Sequence, residues 1–313
     1  MFESIRSLIE QHDTVILHRH SKPDGDAIGS QIGLKRLIAD NYPDKRVFAV
    51  GDVPGRYGFV ENSTPDEITD ETYEGALSIV LDTSARALIS DPRYTLAKDT
   101  ARIDHHIFCE RIADVEVTDT SYESCCGLIA SLAMEAGWKL SSEAATALYT
   151  GMVTDSGRFR YDSTTPDTLR RAAYLLEAGI DVSRIYRNLY ADDFSYIRLR
   201  AQFVLKVAFT PKNVAYIYTS AEEAKTYGVD TFTISRGMVG VMGEIRGVDI
   251  WVNFTETDSG VLCEIRSSRY NINPVAVKYG GGGHEKASGA TLADRETAMR
   301  LLADLEQITE ENQ

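Results

Sequence analysis

The chain has 313 residues, 43% of them hydrophobic and 26% charged, enough to build two ordinary soluble domains. Its formal net charge of −14, with no Lys/Arg block or basic tail, argues against a long nucleic acid as partner, because such partners select a basic footprint. A solvated acidic surface explains the charge equally well, so the charge bounds substrate size without naming a substrate. No apolar run approaches the ~20 residues of a membrane-spanning helix, so no membrane partner is expected. The N-terminal MFESIRSLIEQHD has acids and no signal-peptide core. Cys109, Cys125, Cys126 and Cys263 form no CxxC pair, which fits a reducing cytoplasm.

In chain order, a short amphipathic helix is expected first, leading into the apolar run Thr14–Leu17. Further runs follow at Val47–Val50, Leu77–Leu81 and Ala101–Ile103, alternating with helical patterns such as Gln31–Asp40 and Cys126–Ala136. Buried strands alternating with helices predict an α/β domain on a parallel sheet. The segment Asp181–Phe209 reads as helical. Beyond it, Val214–Thr219 and Val248–Thr255 read as strands, with Gly260–Arg266 as partner for the second. Gly280–Gly283 and a last helix, Arg295–Gln307, complete a smaller α+β domain. The expected boundaries are 1–185 for the first domain, 186–209 for a helical connector and 210–313 for the second, with an active-site cleft between the domains.

Chemistry-bearing residues collect where the apolar runs end. LHRHSKPDGDAIGS, residues 17–30, places His20, Asp24 and Asp26 beyond the first strand, where open α/β sheets build sites. Gly29 and Ser30 are read as allowing close packing as the next helix starts. An Asp-rich N-cap would account for one aspartate here but not for His20. Asp82, in LDTS, would by itself read as a helix cap. Asp104, His105 and His106 end the fourth run, and Asp155 follows GMVT. Three of the six histidines, His20, His105 and His106, are among these candidates. Carboxylates with imidazoles suit a hard or borderline divalent ion such as Mn²⁺, and no cysteine cluster offers a structural zinc site. In the second domain, YGGGGHEKASGA, residues 279–290, reads as a backbone anion loop ending at His284, with Arg266, Ser267 and Arg269 upstream. A flexible linker is the plainer reading of the four glycines.

In this order the motifs resemble the DHH phosphoesterase superfamily. Asp104-His105-His106 is similar to its namesake motif, His20-x-x-Pro23-Asp24-x-Asp26 with Gly29-Ser30 to its first, Asp82 to its second and Asp155 to its fourth. The Gly280–His284 run resembles the hallmark of the C-terminal DHHA1 domain. The pattern over nearly the whole chain is similar to the stand-alone two-domain subfamily that degrades nanoRNA and dephosphorylates pAp. The resemblance implies two divalent ions, Mn²⁺ first, with Mg²⁺ or Co²⁺ compatible. His20 and Asp24 would hold one and Asp26, His105 and Asp155 the other, with Asp82 bridging them. It implies that His106 contacts the phosphate or assists proton transfer, that Asp104 orients a neighbouring histidine, and that Arg158 lies near the phosphate. Arg266, Ser267, Gly281, Gly282, Gly283 and His284 would hold the rest of the substrate.

The implied reaction is in-line hydrolysis at phosphorus in a short RNA, a dinucleotide such as pApA, or the nucleotide pAp. A homodimer is compatible with the sequence. One departure stands out: relatives often carry DHHPxN, and here Ile107 and Cys109 take the proline and asparagine positions. The main alternative is a cyclic-dinucleotide phosphodiesterase. A RecJ-like single-strand exonuclease would want more positive charge, a family II pyrophosphatase lacks the glycine run, and a non-catalytic nucleotide-binding protein would be expected to lose a ligand.

Overall fold

The computed structural model describes residues 1–311 and divides into two units, Met1–Ala191 and a second that starts at Asp192. In the first unit, helix α1 (Glu3–Gln11) buries Ile5 and Ile9, with Phe2 just ahead of them, at the three- to four-residue spacing of one helix face. There follow β1 (Thr14–His18), α2 (Gly25–Asn41), β2 (Arg46–Ala49), β3 (Leu77–Leu81), β4 (Asp99–Asp104) and β5 (Val115–Thr118). The strands form one parallel sheet in the order β2-β1-β3-β4-β5. Every residue of β1 and β3 is buried, which is the environment of central parallel strands covered on both faces. Helices α3 (Cys125–Ala136), α4 (Ser142–Asp155), α5 (Pro166–Glu177) and α6 (Val182–Tyr190) complete the unit.

The chain builds the sheet outward in opposite directions from β1, with β2 on one side and β3 on the other. Such a switch point opens a crevice beyond the carboxyl ends of the strands. Close packing of α2 on α4 frames that crevice. Gly25, Gly29 and Gly33, four residues apart, meet α4 along one line; a Cβ at Gly29 would lie 2.5 Å from the Ala147 carbonyl oxygen and one at Gly33 2.5 Å from Leu148 Cδ2. This corrects the expectation that Gly29 and Ser30 begin the helix. α2 begins at Gly25, and Gly29 and Ser30 lie a turn inside it. Asp24 caps it, accepting from the Asp26 and Ala27 amides at 3.0 Å each.

The second unit contains α7 (Phe194–Leu205), β6 (Ala208–Phe209), β7 (Ala215–Thr219), α8 (Ala221–Thr226), β8 (Ile250–Thr257), β9 (Gly260–Ser267), α9 (Asn273–Lys278), β10 (Gly282–His284), β11 (Ala287–Leu292) and α10 (Arg295–Glu311). Its mixed sheet runs β10-β11-β9-β8-β7-β6, with only the β7–β8 pair parallel. Val261, Cys263 and Ile265 alternate inward along β9 and share a core with Leu301 and Leu305 of α10. On the other face, the buried Asn253 amide donates to the Ile234 and Ser235 carbonyls at 2.7 and 2.8 Å.

Candidate active site

The crevice gathers carboxylates and imidazoles from four separated segments. His20 Nε2 lies 3.8 Å from Asp24 Oδ1 and 3.6 Å from Asp82 Oδ2. His105 Nε2 lies 3.7 Å from Asp26 Oδ2, 3.5 Å from Asp82 Oδ1 and 3.3 Å from Asp155 Oδ2. His20, Asp24 and Asp82 each offer one ligand atom within 4.8 Å of the others, as do Asp26, His105 and Asp155, and a third such group is Asp82 with His105 and His106. Asp82 therefore faces both triads. It does not cap a helix, contrary to one sequence reading: the next helical turn, the 3-10 turn Arg86–Leu88, begins after Ala85, and Asp82 adopts a left-handed φ of 49°. Backbone of that kind in a non-glycine residue concentrates at functional sites.

Neighbouring groups fix the orientation of these side chains. His20 Nδ1 lies 2.8 Å from the Ser21 carbonyl and His105 Nδ1 3.3 Å from the Tyr122 carbonyl, so a proton on Nδ1 leaves each Nε2 turned toward the carboxylates. Asp26 accepts from the Cys125 and Cys126 amides at 2.7 and 2.9 Å, at the N-terminus of α3. His106 Nδ1 lies 2.7 Å from Asp104 Oδ1, and the other Asp104 oxygen is paired with the buried Arg102.

The charges here oppose one another strongly. Burial raises Asp26 well above the usual carboxylate range, and repulsion from Asp82 and Asp155 adds to it. Burial likewise pushes Asp155 up to about 7 against the attraction of His105. His20 and His105 are raised to about 10: burial pulls both down, but the surrounding aspartates outweigh it. Asp82 Oδ1 is buried without a hydrogen-bond partner. A site that repels its own carboxylates and leaves a buried oxygen unsatisfied fits a divalent cation, and its oxygen and imidazole donors suit a hard or borderline one. Among the described residues no thiol joins these groups. The Cys125 and Cys126 thiols are held protonated by burial first and the nearby carboxylates second.

Known proteins are similar to this one over nearly the whole chain. Residues 14–152 match the DHH family, N-terminal domain, and residues 214–311 match the DHHA1 domain. The sequence is 37% identical to the bifunctional oligoribonuclease and PAP phosphatase NrnA of Bacillus subtilis, over 99% of both chains. The chain belongs to the DHH family. A protein of the same name from Mycoplasma pneumoniae is 36% identical over 95% of this chain and 93% of that one. The fold is also similar to an exopolyphosphatase-related protein from Bacteroides fragilis, with a TM-score of 0.84 at 26% identity, covering 98% of this chain and 95% of that one.

In the DHHA1 domain, the glycine run is neither linker nor open loop. The Gly280 and Gly281 amides close the end of α9 on the Val277 and Ala276 carbonyls at 3.0 and 2.9 Å, so these two are not free for an anion. Gly282, Gly283 and His284 form β10, an edge strand paired with Gly289, Ser288 and Ala287. Gly283 has a φ of 135°, and a Cβ there would lie 2.6 Å from the Ala287 carbonyl oxygen. His284 is exposed. Arg266, opposite Ala287 on β9, pairs with Glu264 at 3.1 Å. The Ser267 hydroxyl is occupied: it donates to the Asp249 carbonyl at 2.9 Å and accepts from the Arg269 and Tyr270 amides.

Among DHH-domain residues, the sequence reading missed those that brace the ligands. Buried Arg19 donates through Nε to Gln31 Oε1 at 2.8 Å, and Gln31 Nε2 ties the Leu17 and Val50 carbonyls at the ends of β1 and β2. Glu123, beside the Tyr122 carbonyl, forms a buried pair with Arg171 at 2.7 Å and accepts from Thr168 at 2.7 Å. An arginine beside a motif histidine is the only sequence hint of the first brace. The second joins residues too far apart in sequence to be paired by spacing.

Proposed function

We propose that this chain is a divalent-cation-dependent phosphohydrolase that cleaves short oligoribonucleotides to mononucleotides and dephosphorylates pAp in the cytoplasm. The observation that carries the reading is the pair of His/Asp triads at the switch point of the sheet, with Asp82 a member of one and 3.5 Å from His105 of the other. End-to-end similarity to relatives named bifunctional oligoribonuclease and PAP phosphatase supports the substrate class. The net charge of −14 favours a small anion over a long one.

In this proposal His20, Asp24 and Asp82 hold one cation and Asp26, His105 and Asp155 a second, with Asp82 between them. Mn²⁺ suits the donors, and Mg²⁺ or Co²⁺ is compatible. Two such ions, when bound, neutralise phosphoryl charge and lower the pKa of water. Water adds across the P–O bond: its hydroxyl goes to phosphorus and its proton balances the leaving sugar oxygen. His106, held on Asp104 through Nδ1, keeps Nε2 for the phosphate or for that proton. Burial opposes a low pKa at Asp104, but His106 and Arg102 bring it down, so it stays a carboxylate facing the imidazole. Arg158 lies near a phosphate of the substrate. Residues 1–185 supply this chemistry, 186–209 connect, and 210–313 hold the nucleotide through Arg266, Gly282, Gly283 and His284, with Gly281 and Ser267 acting through the turns they hold.

The test is hydrolysis of pAp, pApA, cyclic di-AMP and a five-nucleotide RNA by the purified protein with Mn²⁺, beside Asp82→Ala. Conversion of pApA and short RNA to mononucleotides, loss of phosphate from pAp, and a silent variant are expected. Fastest opening of cyclic di-AMP would move the assignment to second-messenger disposal. Cation binding without hydrolysis of any of the four would overturn the enzyme reading.

A further inference from the structure

We propose that Arg56 and Arg158, gathered around Tyr190 in the N-terminal unit, form a subsite for a second phosphate of the substrate, the one that is not cleaved. The proposal rests on the phosphohydrolase reading above and deepens it.

The chain has 47 acidic residues against 33 basic ones, and exposed arginines such as Arg86, Arg170, Arg200, Arg236 and Arg300 each pair with a carboxylate. Among the described residues no carboxylate pairs with Arg56 or Arg158. Both are exposed, and both are held by neutral groups instead. Arg158 lies over the Tyr190 ring, its Cζ 4.7 Å from the ring centre. Arg56 donates to the carbonyl of Leu189, the residue before Tyr190, and lies 5.6 Å from the centre of the Tyr57 ring. Burial raises the Tyr190 hydroxyl, and both Arg158 and Arg56 oppose that rise, so both positive charges act on this one phenol. An aromatic face fixes a guanidinium plane while leaving its N–H fork unspent.

The cluster borders the cation triads. The Tyr57 hydroxyl, raised by burial, is acted on by the Asp24 carboxylate and the Gly25 amide. On its other side, Arg158 lies three residues beyond Asp155, in a run of left-handed backbone at Gly157, Arg158 and Phe159, with φ of 56°, 65° and 60°. Successive left-handed residues are rare and costly, and they persist where surrounding structure demands them. Here the Arg158 amide bonds the Val153 carbonyl at 2.7 Å, and Ser156 Oγ accepts the Phe159 amide at 2.9 Å. The turn reverses the chain after Asp155 and sets Arg158 against Tyr190.

Two guanidinium forks without competing carboxylates, beside a site for phosphoryl transfer, match a phosphate monoester. A nucleoside 3′,5′-bisphosphate or a 5′-phosphorylated dinucleotide carries such a group one sugar away from the bond that is cut. An unphosphorylated dinucleotide or a nucleoside monophosphate does not.

The experiment compares kcat/KM for pAp against adenosine 3′-phosphate, and for pApA against ApA, in wild type, Arg56→Ala, Arg56→Lys and Tyr190→Leu, with thermal melts to verify folding. Wild type should prefer the substrate with the extra phosphate. Arg56→Ala should shrink that preference by about 10- to 100-fold, the scale of a lost charge-assisted hydrogen bond, chiefly through KM. Arg56→Lys should retain part of it, and Tyr190→Leu should shrink it by releasing Arg158. The proposal is overturned if wild type has no preference for the extra phosphate, or if folded Arg56→Ala and Tyr190→Leu keep the wild-type ratio. Failure of wild type to cleave pAp and pApA is a separate result, and it sinks the phosphohydrolase reading itself. If Arg56→Ala does not fold, Arg56→Lys and Tyr190→Leu decide.

Discussion

Lowering the pH from about 8 to about 7 should weaken cation binding in the crevice, because protons and cations compete for the same imidazole nitrogens. Burial pulls His20 and His105 down, yet Asp24 and Asp82 around the first, and Asp82, Asp26 and Asp155 around the second, bring each up to about 10 in the cation-free protein. At neutral pH both rings are then protonated, and neither can ligate through Nε2 until its proton leaves. Stripping a proton from a group of pKa near 10 at pH 7 costs about 4 kcal/mol, at about 1.4 kcal/mol per unit. The cost falls with each unit of rising pH, so the affinity of each triad should climb about tenfold per pH unit between pH 7 and 9. Two cations together should release about two protons. Asp155, at about 7, adds a fraction of a proton toward the acidic end. The assay is calorimetric titration of chelator-stripped protein with Mn²⁺, in buffers of different ionisation enthalpy at several pH values. A pH-independent affinity with no proton release would refute the reasoning, since it would mean that the aspartates do not hold these imidazoles charged.

Asp82→Asn preserves shape and tolerates the left-handed backbone, but removes the charge that faces both triads. Hydrolysis should fall by at least about 10²-fold, the scale of a lost electrostatic group in an active site, and cation stoichiometry by equilibrium dialysis should drop. Unchanged turnover would exclude Asp82 from the mechanism. In Asp104→Asn the imidazolium of His106 loses its main stabilising partner. Its pKa should therefore fall, moving the alkaline limb of the kcat profile to lower pH, and an unmoved limb would count against the His106 role. Arg171→Met leaves Glu123 buried without its cation, at a cost of about 3–5 kcal/mol. For a unit of this size that is a fall in Tm of about 6–20 °C, and a melt within a degree or two of wild type would contradict it.

What the sequence revealed depended on how local each feature was. β3 was legible residue for residue as Leu77–Leu81, because a fully buried parallel strand is one unbroken apolar run. β5 was not, because VEVT at a sheet edge is short, and three of its four residues are not buried. The start of α2 was read six residues late, since glycines and aspartates in GDAIGS look like a turn. In the structure the glycines serve the contact with α4, and Asp24 is both cap and site residue. The six proposed ligands were legible through their types and their places after apolar runs. Their braces were not: the Cys125 and Cys126 amides that hold Asp26 leave no mark on side-chain identity. The glycine run was read as an anion loop because nothing in its composition distinguishes free amides from those that close a preceding helix.

The shared position of Asp82 also orders the site in time. The first triad is complete on the chain as soon as Asp82 has been synthesised, whereas the second waits for Asp155 at the end of α4. During translation the two cation positions therefore become available one after the other. A nascent chain that stalls between β3 and α4 carries His20, Asp24 and Asp82 but lacks Asp155, so under the proposed function it would not hydrolyse substrate.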